Sequence, residues 1–247
     1  MLLVLLKTHS KVVLVVRDDG DQLRRYCHIG TGNYNAKTAK IYEDLGLLTC
    51  DDAVGNDALE LFNHLTGYSR AVGYETLLVA PRELRTQLVD LIEHESSFGA
   101  DGHITLKCNS IADPDMAEAL YAASAKGTRI DLIVRGICCV RVGVPGLSEN
   151  IRARSILDRY LEHSRIYRFA HGNVVDGARV PGAEHDAIHL TGSADLMPRN
   201  LNRRVEVLVP IVHPRHVLWL DQAIEFALRP DVVAWDLQPD DTWRRVG

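Results

Sequence analysis

The sequence predicts an α/β fold with mixed sheets, on three observations. Runs such as "KVVLVVR" (11–17), "RIDLIVRG" (129–136) and "RRVEVLVPI" (203–211) are β-branched, apolar and of strand length. Between such runs lie segments with apolar residues at helical spacing, bounded by recognisable start and stop residues. The order strand, helix, strand over residues 103–136 implies a parallel pair joined by a right-handed crossover.

Taken in order, "KVVLVVR" turns at "DDGD" into a return strand, "QLRRYCHI", and "TAKIYEDLGLLT" is a mixed segment closing the unit. "DDAVGNDALELFNHLTG" has helical periodicity with Gly67 beyond its end. "YSRAVGYETLLVA" leads through a linker into a new strand, and a domain boundary is expected near residue 73, dividing 1–73 from 74–247. In "PRELRTQLVDLIEHESSFG", Pro81 marks a helix start, Leu84, Leu88, Leu91 and Ile92 its apolar face, and Gly99 its end. "HITLKCNS" is a strand, and "DPDMAEALYAASAKG" a helix capped by Asp113 and stopped by Gly127. "RIYRF", "AIHLTGS" and "RRVEVLVPI" are later strands, and "HPRHVLWLDQAIEFALR" a terminal helix. The Gly-containing stretch from Ala170 to Ala187 lacks apolar periodicity and is expected to be a mobile loop.

A hydrophobic content of 46% with 25% charged residues is ordinary for a soluble globular protein. Five cysteines, an odd number without C-x-x-C spacing, fit neither a disulfide framework nor a zinc ribbon; reduced thiols and a cytoplasmic location are expected. "MLLVLL" is shorter than the roughly 7–15 apolar residues of a signal-peptide core. No later run reaches the ~20 residues of a membrane span, so any membrane association would be peripheral. A net charge of −5 argues against a general nucleic-acid partner, although arginines gather at Arg135–Arg168 and Arg199–Arg204.

The chemistry is suggested by a pattern that occurs twice. His9-Ser10-Lys11 and His163-Ser164-Arg165 each run into a strand. Each is followed by a tetrad, "GTGN" (Gly30–Asn33) and "GSAD" (Gly192–Asp195), and eleven residues past each tetrad stands a carboxylate, Asp44 or Glu206. A neutral imidazole can attack phosphorus when its other ring nitrogen is held by an acceptor, a task suited to Asp44 and Glu206. Lys11 and Arg165, two residues along an extended strand, share the histidine's side and can offset phosphate charge. The hydroxyls and amides of the tetrads, including Asn33 and Ser193, can approach phosphate oxygens.

This doubled layout resembles the phospholipase D superfamily with its H-x-K and G-S-x-N motifs. More narrowly, "RRYCHIGTGNYNAKTAKIYEDLGLLT", "LTGYSR", "DLIVRGICC", "PGLSENIRARSILDRYLEHSRIY" and "GSADLMPRNLNRRVEV" together resemble the C-terminal region of bacterial polyphosphate kinases of the first family, over essentially the whole chain. The resemblance implies two phospholipase D-like domains with mixed sheets flanked by helices, the first one incomplete. It implies a histidine phosphorylated by ATP that hands its phosphoryl group to growing polyphosphate, with Mg²⁺ present and its protein ligands outside this chain. It places the nucleophile at His9, ATP-phosphate contacts at Tyr42, Arg135 and His163, and supporting roles near Arg204 and Glu206. ATP and inorganic polyphosphate are the partners implied, and a homo-oligomer is expected. Family members carry an N-terminal and a helical domain ahead of this region, Leu196 stands where tryptophan is usual, and the 170–187 loop is longer. A phospholipase D-type phosphodiesterase or nuclease, and a catalytically incomplete polyphosphate-binding fragment, are the alternatives.

Other candidates weigh less. His28 beside "GTGN" lacks a basic follower and suits packing; His185 and His189 lie in a loop running into a strand rather than on a metal-binding helix, and no metal site is assigned. Cys138-Cys139 sits at a strand end in apolar context, where inert burial is expected.

Overall fold

The computed structural model describes residues 6–68, 73–171, 174–175, 178–179 and 187–247, and its architecture follows from where each strand finds a partner. The N-terminal segment runs through β1 (Lys7–Thr8), β2 (Lys11–Asp18), β3 (Leu23–Gly30), β4 (Tyr42–Glu43), β5 (Gly46–Thr49) and α1 (Asp52–Leu65). β2, β3 and β5 form an antiparallel three-stranded sheet. Strand alternation turns Cys27 and Ile29 onto α1 and leaves Val13 and Val15 on the outer face, 51% and 53% exposed. Asp51 caps α1 by accepting from the Val54 N–H at 3.0 Å.

Past residue 73 the chain continues through β6 (Leu78–Ala80), α2 (Leu84–Ser96), β7 (His103–Cys108), α3 (Pro114–Ala125), β8 (Arg129–Val134), β9 (Ile151–Ser155), β10 (Leu161–Glu162) and β11 (Ile166–Phe169). β12 (Val174–Val175), β13 (Ala178–Arg179), β14 (Ile188–Gly192), α4 (Pro198–Arg203), β15 (Arg204–Pro210), α5 (Pro214–Leu228), β16 (Ala234–Leu237) and β17 (Trp243–Val246) complete it. One mixed sheet of ten strands runs β1-β15-β14-β11-β7-β8-β9-β16-β17, with β6 also paired to β15. β7 and β8 are the parallel pair expected from the strand–helix–strand order.

The helix periodicities become a core. Leu84, Leu88, Leu91 and Ile92 of α2 and Met116, Leu120 and Ala123 of α3 pack on Ile104, Leu106, Ile130, Leu132 and Val134. On the opposite face, Val205, Val207 and Val209 of β15 and Leu220 and Ile224 of α5 join Cys27, Ile29, Val54, Ala58 and Leu61 from the N-terminal segment. The two parts of the chain therefore share one apolar cluster. They are tied at the linker as well: the buried Asp57 of α1 accepts from the backbone N–H groups of Glu75 (3.0 Å), Thr76 (2.7 Å) and Leu77 (2.8 Å).

Several expectations need correction. Pro81 lies in the turn ahead of α2, which begins only at Leu84. The helix over 213–229 is not terminal, since β16 and β17 follow it and extend the sheet. β1, β9 and β10 were not anticipated; β1 and β10 have two residues each, too few to show a period. The 170–187 stretch, His185 included, lies outside the described residues apart from its ends and the backbone ladder of β12 with β13.

Asp57→Ala leaves three amides without their charged acceptor, so a loss on the order of 3 kcal/mol in denaturant-unfolding stability is expected, with Asp57→Asn losing less.

Candidate active site

Each histidine of the doubled pattern is set by a two-residue ladder that crosses between the two parts of the chain. β1 runs parallel to β15, with Lys7 opposite Arg204 and Thr8 opposite Val205, and the N–H groups of His9 and Ser10 both donate to the Val205 carbonyl (3.0 and 2.9 Å). β10 runs parallel to β4, with Leu161 opposite Tyr42 and Glu162 opposite Glu43, and the His163 N–H donates to the Glu43 carbonyl at 3.1 Å. In both cases the residue that follows the ladder on the partner side is a carboxylate. His9 Nδ1 meets Glu206 at 2.9 Å, and His163 Nδ1 meets Asp44 at 2.6 Å. The pairing is exchanged: the N-terminal histidine takes the C-terminal carboxylate, and the C-terminal histidine the N-terminal one.

The tetrads serve those carboxylates. The Thr31 hydroxyl donates to Asp44 at 2.7 Å, and the Ser193 hydroxyl to Glu206 at 2.5 Å. Glu206 is fully buried and also accepts from the Asn200 amide at 2.7 Å. Glycine is needed beside both: a Cβ on Gly32 would lie 1.9 Å from Asp44 Oδ2, and Gly192, at φ +154°, would place one 2.0 Å from the Val207 carbonyl. A carboxylate only accepts, so each imidazole keeps its proton on Nδ1 when neutral and presents the Nε2 lone pair.

The basic followers differ. Lys11 is half-buried, and its ammonium donates to the His9 carbonyl at 2.5 Å. Burial lowers its pKa to about 8; Arg165 and Arg204 push the same way, against Glu206 and Asp44. One ammonium thus lies within electrostatic reach of both imidazole-bound carboxylates. Arg165 corrects the sequence expectation of a phosphate contact. It is 1% exposed and bonds Asp195 through Nε (3.3 Å) and an amino nitrogen (3.0 Å), while its other amino nitrogen serves the Thr31 and His163 carbonyls at 2.9 Å each. Burial opposes both charges, but their pairing outweighs it and holds Asp195 below the usual carboxylate range. Arg165 is a tie between strands. Ser193 is likewise a holder of Glu206, buried to 1% exposure, rather than an open substrate contact.

The remaining candidates flank these dyads. The Tyr42 ring lies tilted against His163 with centroids 4.8 Å apart. Arg135 is anchored by Asn109 Oδ1 (2.8 Å) and the Glu162 carbonyl (3.0 Å), and Asn109 in turn bonds Asp195. Asn33 is exposed, without a hydrogen bond among the described residues, and Arg204 is half-buried with no carboxylate partner among them. Asn109, Asn200 and Lys107 carry no motif signal and were missed. His28 packs as expected, its Nε2 bonded to the Tyr34 hydroxyl at 2.7 Å. His189 is buried in β14 and bonds Asp221 at 2.7 Å. Cys138 is half-buried, with burial raising its thiol, but Cys139 is exposed, contrary to the expected inert burial.

Among the described residues magnesium finds no cage. Asp44 and Glu206 are committed to imidazoles and hydroxyls, and among the described residues no three ligating side chains gather. No helix among the described residues is long and apolar enough to cross a membrane.

Sequence comparison decides the family. Residues 2–71 match the polyphosphate kinase C-terminal domain 1, and residues 77–247 match the polyphosphate kinase C-terminal domain 2. The chain belongs to the polyphosphate kinase family. It is 51% identical over 244 residues to a polyphosphate kinase of Synechocystis sp., covering 98% of this chain and 32% of that protein. A Mycobacterium avium polyphosphate kinase is 49% identical with the same coverage. The crystal structure of polyphosphate kinase from Porphyromonas gingivalis superposes with a TM-score of 0.85 at 32% identity, over 97% of this chain and 36% of that one. The chain thus spans about a third of the length of the relatives it matches.

Because Lys11 loses its charge as pH rises through about 8, affinity for a polyanion is expected to fall above that point, by up to about tenfold per pH unit, with proton uptake on binding. Calorimetric titration with tripolyphosphate at pH 7, 8 and 9 measures this, and Lys11→Arg should flatten the profile.

Proposed function

We propose that this site transfers the terminal phosphoryl group of ATP to polyphosphate through a phosphohistidine on His9. The observation that carries the proposal is the exchanged pair of dyads, in which buried Glu206 holds the Nδ1 proton of His9 and leaves Nε2 as a nucleophile, with the Lys11 ammonium on the His9 carbonyl. The Nε2 lone pair forms the new N–P bond as the bond from the γ-phosphorus to the bridging oxygen breaks, and ADP leaves with that oxygen. A terminal oxygen of polyphosphate then attacks the same phosphorus, and the N–P bond breaks to restore the imidazole. Glu206 offsets the charge that develops on the ring, and Lys11 that on the phosphoryl oxygens. His163, held by Asp44, is suited to bind or protonate the oxygen opposite His9. Tyr42, Arg135 and Arg204 flank the nucleotide phosphates, with Asn33 at the open rim. The described residues of this site would not hold magnesium themselves; bound with the nucleotide, it would supply screening of phosphate charge. ATP as donor fits a cytoplasmic enzyme.

The share of the relatives' length that the chain spans supports a second reading: a segment that binds polyanion and turns over only when the rest of such a protein is present. Formation of polyphosphate from ATP by this chain alone separates the two.

Labelling with γ-³²P ATP or ³²P polyphosphate is expected to give acid-labile, base-stable label on His9. His163→Ala should slow its turnover by on the order of 10²–10⁴. Label that persists in His9→Ala would overturn the assignment.

A further inference from the structure

Lys107, the penultimate residue of β7, is nine-tenths buried, yet neither the doubled motif nor the chemistry above uses it. A buried ammonium is costly unless its partners compensate it. Its partners are unusual. Lys107 Nζ lies 2.9 Å from Glu162, 3.5 Å from Glu43 and 2.6 Å from the Ser164 hydroxyl, which itself donates to Glu43 at 2.6 Å.

Glu43 and Glu162 are register partners in the two-pair ladder of β4 with β10. Like charges on adjacent strands repel, and a ladder this short has few bonds to resist them. Beyond its two register pairs, the ladder is flanked by the Leu161 N–H to the Ile41 carbonyl (2.7 Å) and the His163 N–H to the Glu43 carbonyl (3.1 Å). Strand alternation puts Tyr42, Asp44 and His163 on one side and Glu43 and Ser164 on the other, where Lys107 stands.

We propose that Lys107 is a positioning residue for His163: its ammonium holds two opposed glutamates together and so keeps the β4–β10 ladder closed, with His163 on Asp44. The inference rests on the phosphoryl-transfer proposal only for the importance of His163. Without the ammonium, Glu43 and Glu162 face each other uncompensated, the strands part, and the ring loses its carboxylate. The His9–Glu206 dyad hangs on the separate β1–β15 ladder and does not depend on Lys107.

The test is the downfield proton resonance of each imidazole Nδ1–H, assigned with His9→Ala and His163→Ala and recorded without nucleotide. In Lys107→Met the His163 resonance should vanish while the His9 resonance remains. Adding Glu43→Gln and Glu162→Gln to Lys107→Met removes the repulsion and should restore the His163 signal. An unchanged His163 resonance in Lys107→Met overturns the proposal. So does joint loss of both resonances, which would make Lys107 a general packing residue, and so does failure of the triple variant to recover the signal. None of these outcomes bears on whether phosphoryl transfer occurs, which the labelling experiment reads separately.

Discussion

A carboxylate from one part of the chain holding an imidazole from the other is the contact on which the site's geometry depends. His9 cannot reach Glu206 unless β1 lies along β15, and His163 cannot reach Asp44 unless β4 lies along β10. Two-residue ladders supply register but little adhesion, so other interactions must hold the parts together. The shared apolar cluster from Cys27 to Ile224 gives the bulk of that hold, the Asp57 clamp fixes the linker, and Arg165 ties the Thr31 carbonyl to Asp195. The cluster and the clamp sit away from the rings, whereas Arg165 also lies against the His163 ring, 3.3 Å from Nε2.

The repeat is symmetric where orientation is needed and asymmetric where chemistry must differ. Both imidazoles present Nε2, and both carboxylates are steadied by a hydroxyl from a glycine-containing turn. The followers diverge: Lys11 keeps a half-buried ammonium on the His9 carbonyl, whereas Arg165 is paired with Asp195. The fourth tetrad position diverges with them, Asn33 exposed and Asp195 buried in that ion pair. Two copies of one half-site have thus become a half carrying a titratable cation and a half carrying a rigid frame, which suits a division between nucleophile and phosphate holder.

Much of this was legible in the sequence. The apolar faces of α2 and α3, the Asp113 and Gly127 boundaries of α3, and the strands β2, β3, β7, β8, β11, β14 and β15 follow from periodicity and capping, which are local properties. His9, His163, Asp44 and Glu206 were legible because a repeated order leaves a trace in spacing. Which carboxylate serves which histidine was not, since exchange between parts of a chain is a tertiary fact. Neither were Asn109, Asn200 and Lys107, single polar residues whose roles come from neighbours far along the chain. Arg165 misled for the same reason: a basic residue two past a histidine can face a phosphate or a buried aspartate, and only Asp195 decides between them.

A crystal structure of this chain soaked with vanadate, which adopts the geometry of a transferring phosphoryl group, tests most directly whether both rings serve one phosphorus. The expected result is a single vanadium atom bonded to His9 Nε2, with His163 Nε2 in hydrogen-bonding contact with one of its oxygens and Lys11 beside another. Vanadate bound elsewhere on the basic surface, with the two Nε2 atoms facing separate solvent-filled spaces, would contradict it.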